Sequence, residues 1–237
     1  MNEKNIANKD RLIFAMDVPN CDQAKELTTI LGDAVTFYKL GLELMMTGGY
    51  FDLMDWMLAR NKKIFADLKF FDIPATVGSA VRQLKDRGAS FVTVHGNQAI
   101  MEAAVENKGD KLKVLAVTAL TSLDRGDLDD LGFDCNIEEL VLSRARRALE
   151  AGCDGVVASG IEAPQLRENM DSKLLIITPG IRPVDNKPSQ DQKRVVTVTK
   201  AFENGADYIV VGRPIRDAGN PRNAAEEIQA SISDCFK

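Results

Sequence analysis

The chain has 237 residues, 45% of them hydrophobic and 27% charged, which suits one well-filled domain of barrel size and excludes a disordered chain. Lys and Arg number 30 against 35 Asp and Glu, a net charge of −5, which argues against a diffuse grip on nucleic acid or anionic lipid and leaves room for one local anion pocket. No apolar run approaches the roughly 18 residues of a membrane helix, and the polar residues 1–10 form an N-terminal extension with no secretory leader.

Eight short apolar runs recur along the chain, at 12–16, 35–40, 64–68, 91–94, 114–117, 155–158, 174–177 and 208–211. Each is partly β-branched and unalternated, as in strands buried on both faces. Their spacing of about 28 residues is that of a βαβ repeat. Between them, residues 21–31 follow Asn20, a good N-cap. Residues 51–60, 75–87 and 137–150 carry apolar side chains at helical spacing, and Pro74 and Pro221 suit first-turn positions. Gly88, Gly152 and Gly205 each stand just ahead of a strand, where a helix end needs a positive φ. With only 6% aromatic residues, the core is expected to be built mainly from Val, Ile, Leu, Ala and Met. Eight βα units favour a single (β/α)₈ TIM barrel over residues 1–237, in preference to an open doubly wound sheet.

Four cysteines, Cys21, Cys135, Cys153 and Cys235, lie far apart; they fit a reducing cytoplasm better than a disulfide or zinc framework. The single histidine, His95, excludes a multi-His metal centre. In a barrel, chemistry belongs at the C-terminal ends of the strands. Asp17, Lys39, Asp67 with Lys69, His95, Thr121 with Ser122, Ser159, Thr178, and Gly212 with Arg213 all fall there.

The stretch Asp67-Leu68-Lys69-Phe70-Phe71-Asp72-Ile73-Pro74 is the most informative. In a strand, Asp67 and Lys69 share a face. Leu68, Phe70 and Phe71 demand burial around them, and buried charges are costly unless paired. Lys39 is expected beside Asp67, giving an alternating Lys39–Asp67–Lys69–Asp72 network that keeps ammoniums protonated and carboxylates ionised. A solvated loop with an incidental ion pair is the plain alternative. A protonated lysine aimed at a carbanion is a proton donor. A carboxylate fixed beside a substrate carboxylate disfavours the ground state more than a transition state that is losing that charge.

Thr178-Pro179-Gly180-Ile181-Arg182-Pro183 and Val211-Gly212-Arg213-Pro214 end strands seven and eight. Barrels commonly hold a phosphate there, and Arg213 can add a bidentate contact; ordinary loop turns are the alternative. The polar residues 184–192 are expected to form a closing loop from which Gln192 reaches inward.

These pieces, together with Ala15-Met16-Asp17, Tyr38-Lys39-Leu40-Gly41, Leu120-Thr121-Ser122 and Asp191-Gln192-Lys193-Arg194, resemble the orotidine 5′-monophosphate decarboxylase family in kind and order. Phe71 departs from the pattern, since many relatives have histidine there. The resemblance implies a cytoplasmic enzyme that converts orotidine 5′-phosphate to UMP and CO₂ without cofactor or metal, in the last step of UMP synthesis. It implies Lys69 as proton donor to C6 of the pyrimidine and Asp67 as the carboxylate facing the departing CO₂. Asp17 and Lys39 would hold ribose hydroxyls, with Lys39 also orienting the charges. Thr121 and Ser122 would line the pyrimidine, while Arg182, Gln192, Gly212 and Arg213 would serve the phosphate side. Asp72 and Thr76 would be donated across a homodimer interface.

A sister enzyme class shares the barrel, the Asp67-x-Lys69-x-x-Asp72 element and a phosphate end: Mg²⁺-dependent sugar-phosphate decarboxylases or aldol-type synthases. A barrel that binds a phosphate ligand without turnover is the third alternative. His95 suits either a hydrogen-bonded rim position or a substrate contact. Leu42, Met45 and Met46 suit core or interface, Trp56 packing, Cys153 a small buried hydrophobe, and residues 124–130 a solvated loop.

Overall fold

The structure is a computed structural model that describes residues 4–182 and 195–237. Eight parallel strands close into a barrel in chain order: β1 (Leu12–Ala15), β2 (Phe37–Leu40), β3 (Lys63–Phe70), β4 (Phe91–His95), β5 (Lys113–Val117), β6 (Gly155–Val157), β7 (Leu175–Thr178) and β8 (Tyr208–Val211). β8 pairs with β1 and completes the ring. All eight expected runs are strands, so the barrel reading holds over the open sheet. Both strand faces are largely buried. One face, with Ile13, Phe37, Phe65, Phe91, Leu115, Ile177 and Val210, fills the barrel interior. The other, with Leu12, Phe14, Tyr38, Ile64, Val92 and Ile176, packs under the helices. That is why the runs do not alternate.

The expectation of a mainly aliphatic core holds, with the large rings concentrated in the barrel interior. There Phe37, Phe65, Phe91 and Tyr208 meet edge to face, with ring centroids 4.9 Å apart for Phe37–Phe91 and 5.2 Å for Phe91–Tyr208. A narrow lumen is filled from few positions, and large rings supply the volume. They form a dry floor beneath the mouth.

The surrounding helices are α1 (Cys21–Leu31), α2 (Leu42–Met46), α3 (Tyr50–Leu58), α4 (Pro74–Arg87), α5 (Gln98–Asn107), α6 (Arg125–Asp130), α7 (Ile137–Glu150), α8 (Ala163–Asn169), α9 (Val198–Glu203), α10 (Arg213–Arg216) and α11 (Pro221–Cys235). Asn20 caps α1 by accepting from the Gln23 N–H. Gly88, Gly152 and Gly205 have φ of 88°, 82° and 98°, as the helix-to-strand turns require. Residues 124–130 are not a loop: Asp124 caps α6 in a reciprocal box with Asp127. An acidic stretch of that length is too short to show helical periodicity.

At the opposite end of the barrel, aspartates before two strands extend the sheet ladder. Asp154 accepts the Val114 N–H at 2.8 Å, and Asp207 accepts the Ile176 N–H at 2.9 Å. Lys108 pairs with Asp154, while Lys4 and Arg167 pair with Asp207. The four cysteines are free. Among the described residues no helix is long and apolar enough to cross a membrane.

Candidate active site

A cavity of about 470 Å³ opens at the C-terminal ends of the strands, above the aromatic floor. β3 sets its chemistry. Ala66 lies opposite Val92 on β4, but Phe70 lies opposite Val94, so β3 takes four steps where β4 takes two. The bulge sits at Asp67–Lys69 and extends the strand beyond its expected end. Lys69 has φ of 48°, a left-handed conformation that costs a non-glycine residue energy and is typical of functional sites.

Asp67 and Lys69 both face the cavity, and they pair at 2.9 Å through Asp67 Oδ2 and Lys69 Nζ. Lys39 Nζ, from β2, stands 3.5 Å from the same oxygen and donates at 3.2 Å to Asp17 Oδ1 beyond β1. The result is a row, Asp17–Lys39–Asp67–Lys69, across three adjacent strand ends. The other Asp67 oxygen, Oδ1, accepts from the Thr93 hydroxyl at 2.9 Å. Burial disfavours the Asp67 carboxylate, but Lys39, Lys69 and the hydrogen bonds outweigh it and hold Asp67 below its ordinary range. Burial likewise works against the Lys39 ammonium, and Asp67 and Asp17 overcome it, leaving Lys39 above the ordinary lysine value. Three members of the expected network, Lys39, Asp67 and Lys69, are therefore brought together; Asp17 adds a carboxylate at the Lys39 end, and Asp72 does not join them within one protomer.

Asp72 and Thr76 do not line the cavity of this protomer. They belong to a run, 71–76, in which every residue is exposed. Asp72 Oδ1 accepts the Ile73 N–H at 2.6 Å. Phe71, expected to be buried, is 63% exposed and stacks on His95 with ring centroids 4.4 Å apart; it lies past the strand, where the chain has left the barrel wall. His95 Nδ1 meets Asn97 Oδ1 at 3.3 Å, and the ring stands outside the cavity lining. Burial pushes its pKa down.

Arg182, Gly212 and Arg213 line the other side of the same cavity. Arg182 donates its N–H to Val196 O at 3.0 Å, and Val196 donates back to Gly180 O at 3.2 Å, so a parallel bridge anchors Arg182 at the rim. Gly180, with φ of 77°, supplies the turn from β7 into that bridge. A Cβ on Gly212 would stand 3.3 Å from Ala15 Cβ and 3.7 Å from Asp17 Oδ2; a bare backbone lets β8 approach the end of β1. Thr121 lines the cavity, whereas Ser122 is exposed and does not. Ser159 and Thr178 are buried away from it. Residues 184–192, including Gln192, lie outside the described residues.

Two lining or supporting residues escaped sequence reasoning. Arg216 lines the cavity and donates Nη1 to the Asp17 carbonyl at 2.7 Å while pairing with Asp217. Thr93 is fully buried and carries the Asp67 hydrogen bond. The available signal was a hydroxyl in the otherwise apolar run Phe91-Val92-Thr93-Val94. Among the described residues no three His, Cys, Asp or Glu side chains converge as a metal site. The arrangement offers a fixed carboxylate flanked by two ammoniums at one end and two arginines at the other, matched to an elongated, multiply charged anion.

The model of the Orotidine 5′-phosphate decarboxylase / HUMPS family matches residues 10–228. A Methylococcus capsulatus protein named orotidine 5′-phosphate decarboxylase is 63% identical over 236 residues, covering 100% of this chain and 97% of its own. A Nitrobacter winogradskyi protein of the same name is 46% identical over 97% of this chain and 95% of its own. The crystal structure of orotidine 5′-phosphate decarboxylase from Lactobacillus acidophilus superposes with a TM-score of 0.84 at 34% identity, covering 94% of this chain and 99% of that one.

Proposed function

From the premise that the chain belongs to the orotidine 5′-phosphate decarboxylase / HUMPS family, we propose that it converts orotidine 5′-phosphate to UMP and CO₂, the last step of UMP synthesis, in the cavity at the barrel mouth. The observation that carries this reading is the ion-paired row Asp17–Lys39–Asp67–Lys69, with Lys39 and Asp67 buried at its centre, which shares one cavity with Arg182 and Arg213.

Breaking the bond between C6 and the carboxylate leaves the electron pair on C6 of the pyrimidine. A vinyl carbanion of this kind has no ring position to take up its charge, so the protein must stabilise it. Enzymes in general lower barriers by about 8–23 kcal/mol, and preorganised charge is the largest contributor. Asp67, held ionised by its two ammoniums, faces the substrate carboxylate and raises the energy of the bound ground state; that repulsion disappears as CO₂ leaves. Lys69 places its ammonium toward C6, stabilises the developing charge and transfers a proton from Nζ to C6. Lys39 and Asp17 hold the ribose hydroxyls, and Lys39 keeps Asp67 charged. Thr121 borders the pyrimidine, and Ser122, which does not line the cavity, joins it only by turning inward. Arg182, Gly212, Arg213 and Gln192 take the phosphate side, whose binding energy is spent on assembling the charged end. The reaction uses no cofactor or metal.

The active unit in this reading is a cytoplasmic homodimer in which Asp72 and Thr76 reach the partner's cavity. Its support is the fully exposed run 71–76 together with apolar side chains left open to solvent at the same rim: Met46 at 82%, Ile73 at 67% and Leu42 at 56% exposure. A surface of that kind is unusual unless another chain covers it.

The test is product analysis: purified protein is incubated with orotidine 5′-phosphate, and UMP and CO₂ are quantified. Equal amounts of both, formed in proportion to enzyme, are expected. Tight UMP binding with no conversion would replace the enzyme with a binding protein.

A further inference from the structure

We propose that Thr93 is a positioning residue for the decarboxylation, its hydroxyl locking Asp67 and Lys69 into their working arrangement; this rests on the reading of the site given above. Thr93 lies inside the barrel wall on β4 and is fully buried. Its single oxygen makes two bonds, one to each partner. It accepts the Lys69 backbone N–H at 3.0 Å and donates its proton to Asp67 Oδ1 at 2.9 Å.

Each bond fixes something the chemistry needs. The β3 bulge slips the ladder between Ala66 and Phe70. With the ladder interrupted, the Lys69 N–H goes to the Thr93 hydroxyl, which thereby supports the left-handed backbone at Lys69, with φ of 48°. That backbone aims Nζ at Asp67 Oδ2 and the cavity. The second bond stops the carboxylate from rotating. With Oδ1 committed to Thr93, Oδ2 is the oxygen left for Lys69 at 2.9 Å and Lys39 at 3.5 Å. One side chain from a neighbouring strand thus sets the bearing of both the carboxylate and the ammonium without itself lining the cavity. A hydroxyl is the group that suits this task, because it can accept one hydrogen bond and donate another.

Misplacing a reacting group by about 1 Å can cost a hundredfold in rate. A positioning role therefore predicts a loss in kcat rather than in ground-state binding. Thr93→Val keeps the shape and removes the hydroxyl; it is expected to lose about thirtyfold or more in kcat while UMP binding stays within about threefold. Thr93→Ser keeps the hydroxyl and is expected to retain kcat within about threefold. Removing one hydrogen bond to the Asp67 carboxylate also makes it easier to protonate, so the acid limb of the Thr93→Val pH profile should move to higher pH and that of Thr93→Ser should not. Thr93→Ala serves as a second hydroxyl-free variant if the valine chain does not fold. Overturning results are wild-type kcat in the hydroxyl-free chain, equal damage in Thr93→Ser, a loss carried by UMP affinity alone, or failure of both hydroxyl-free chains to fold. A wild-type chain inert toward orotidine 5′-phosphate would instead overturn the activity itself, and this assignment with it.

Discussion

Lys39 and Asp67 come from neighbouring strands and stand 3.5 Å apart, each nearly closed off from water, with side-chain exposures of 14% and 11%. Neither is affordable there alone, since an isolated buried charge is strongly destabilising. The folded value of Asp67 lies below its ordinary 3.8, so its contribution is fully present above 3.8 and fades as pH falls through the folded value. The folded value of Lys39 lies above 10.5, so its contribution is present below 10.5 and fades as pH rises through the folded value. The charge pattern therefore persists across the whole interval between them.

Asp67→Asn leaves Lys39 and Lys69 without their shared anion. Removing one partner of a buried pair costs about 3–5 kcal/mol. Urea unfolding of the variant at neutral and mildly acid pH is expected to show a deficit of that order, unchanged between the two conditions. A variant as stable as the wild type would mean that the pair is not buried as described.

Lys69→Ala removes the proton donor but leaves the phosphate end intact. General acid catalysis alone supplies about 10²–10⁴-fold, and the lost ammonium also stabilised the carbanion. Turnover is expected to fall by at least about a thousandfold, with UMP affinity and melting temperature little changed. Near-normal rates would remove Lys69 from the mechanism.

Lys69→Ala and Asp72→Ala chains, each inactive alone, offer a test of the shared site. A mixed dimer with two-fold symmetry has one site carrying both changes and one carrying neither. Random mixing is expected to restore about a quarter of wild-type activity. No recovery on mixing would assign Asp72 to its own protomer or to no site.

Asp207 tests the opposite end of the barrel. Its carboxylate takes Lys4 Nζ and Arg167 Nη2, both at 2.6 Å, and the Ile176 N–H at 2.9 Å. Residues at this face of a barrel serve stability, not chemistry. Asp207→Ala is expected to lower stability by about 2–4 kcal/mol through its orphaned partners, with kcat/KM unchanged once the protein is folded. An activity defect without a stability defect would contradict the division of labour.

The barrel was legible because unalternated apolar runs at a steady spacing have few other solutions, and because Gly88, Gly152 and Gly205 marked the turns. Asp67 and Lys69 were legible as two charges set among apolar residues at a strand end, although the bulge, not strict alternation, is what brings both into the cavity. What sequence could not give was anything depending on neighbouring strands. The bulge that sets Lys69 in a left-handed backbone is a slip of β3 against β4, and neither strand encodes it alone. Thr93 looked like one hydroxyl in an apolar run until the ladder brought it beneath Asp67. Phe71 looked buried by composition, yet its position past the strand end exposes it. The helix α6 was hidden by brevity, although Asp124 and Asp127 carried its cap. The pairing that adds Asp17 at the Lys39 end of the charged row likewise needed β1 set beside β2.

The central claim is that fixed ammonium and carboxylate side chains suffice for loss of CO₂. It is tested most directly by dialysing the protein against EDTA and following the decay of the orotate-type absorbance on addition of orotidine 5′-phosphate. Full-rate conversion to UMP in the continued presence of chelator is the predicted result. Activity that disappears on chelation and returns only with added Mg²⁺ would contradict it and point to the metal-dependent sister chemistry.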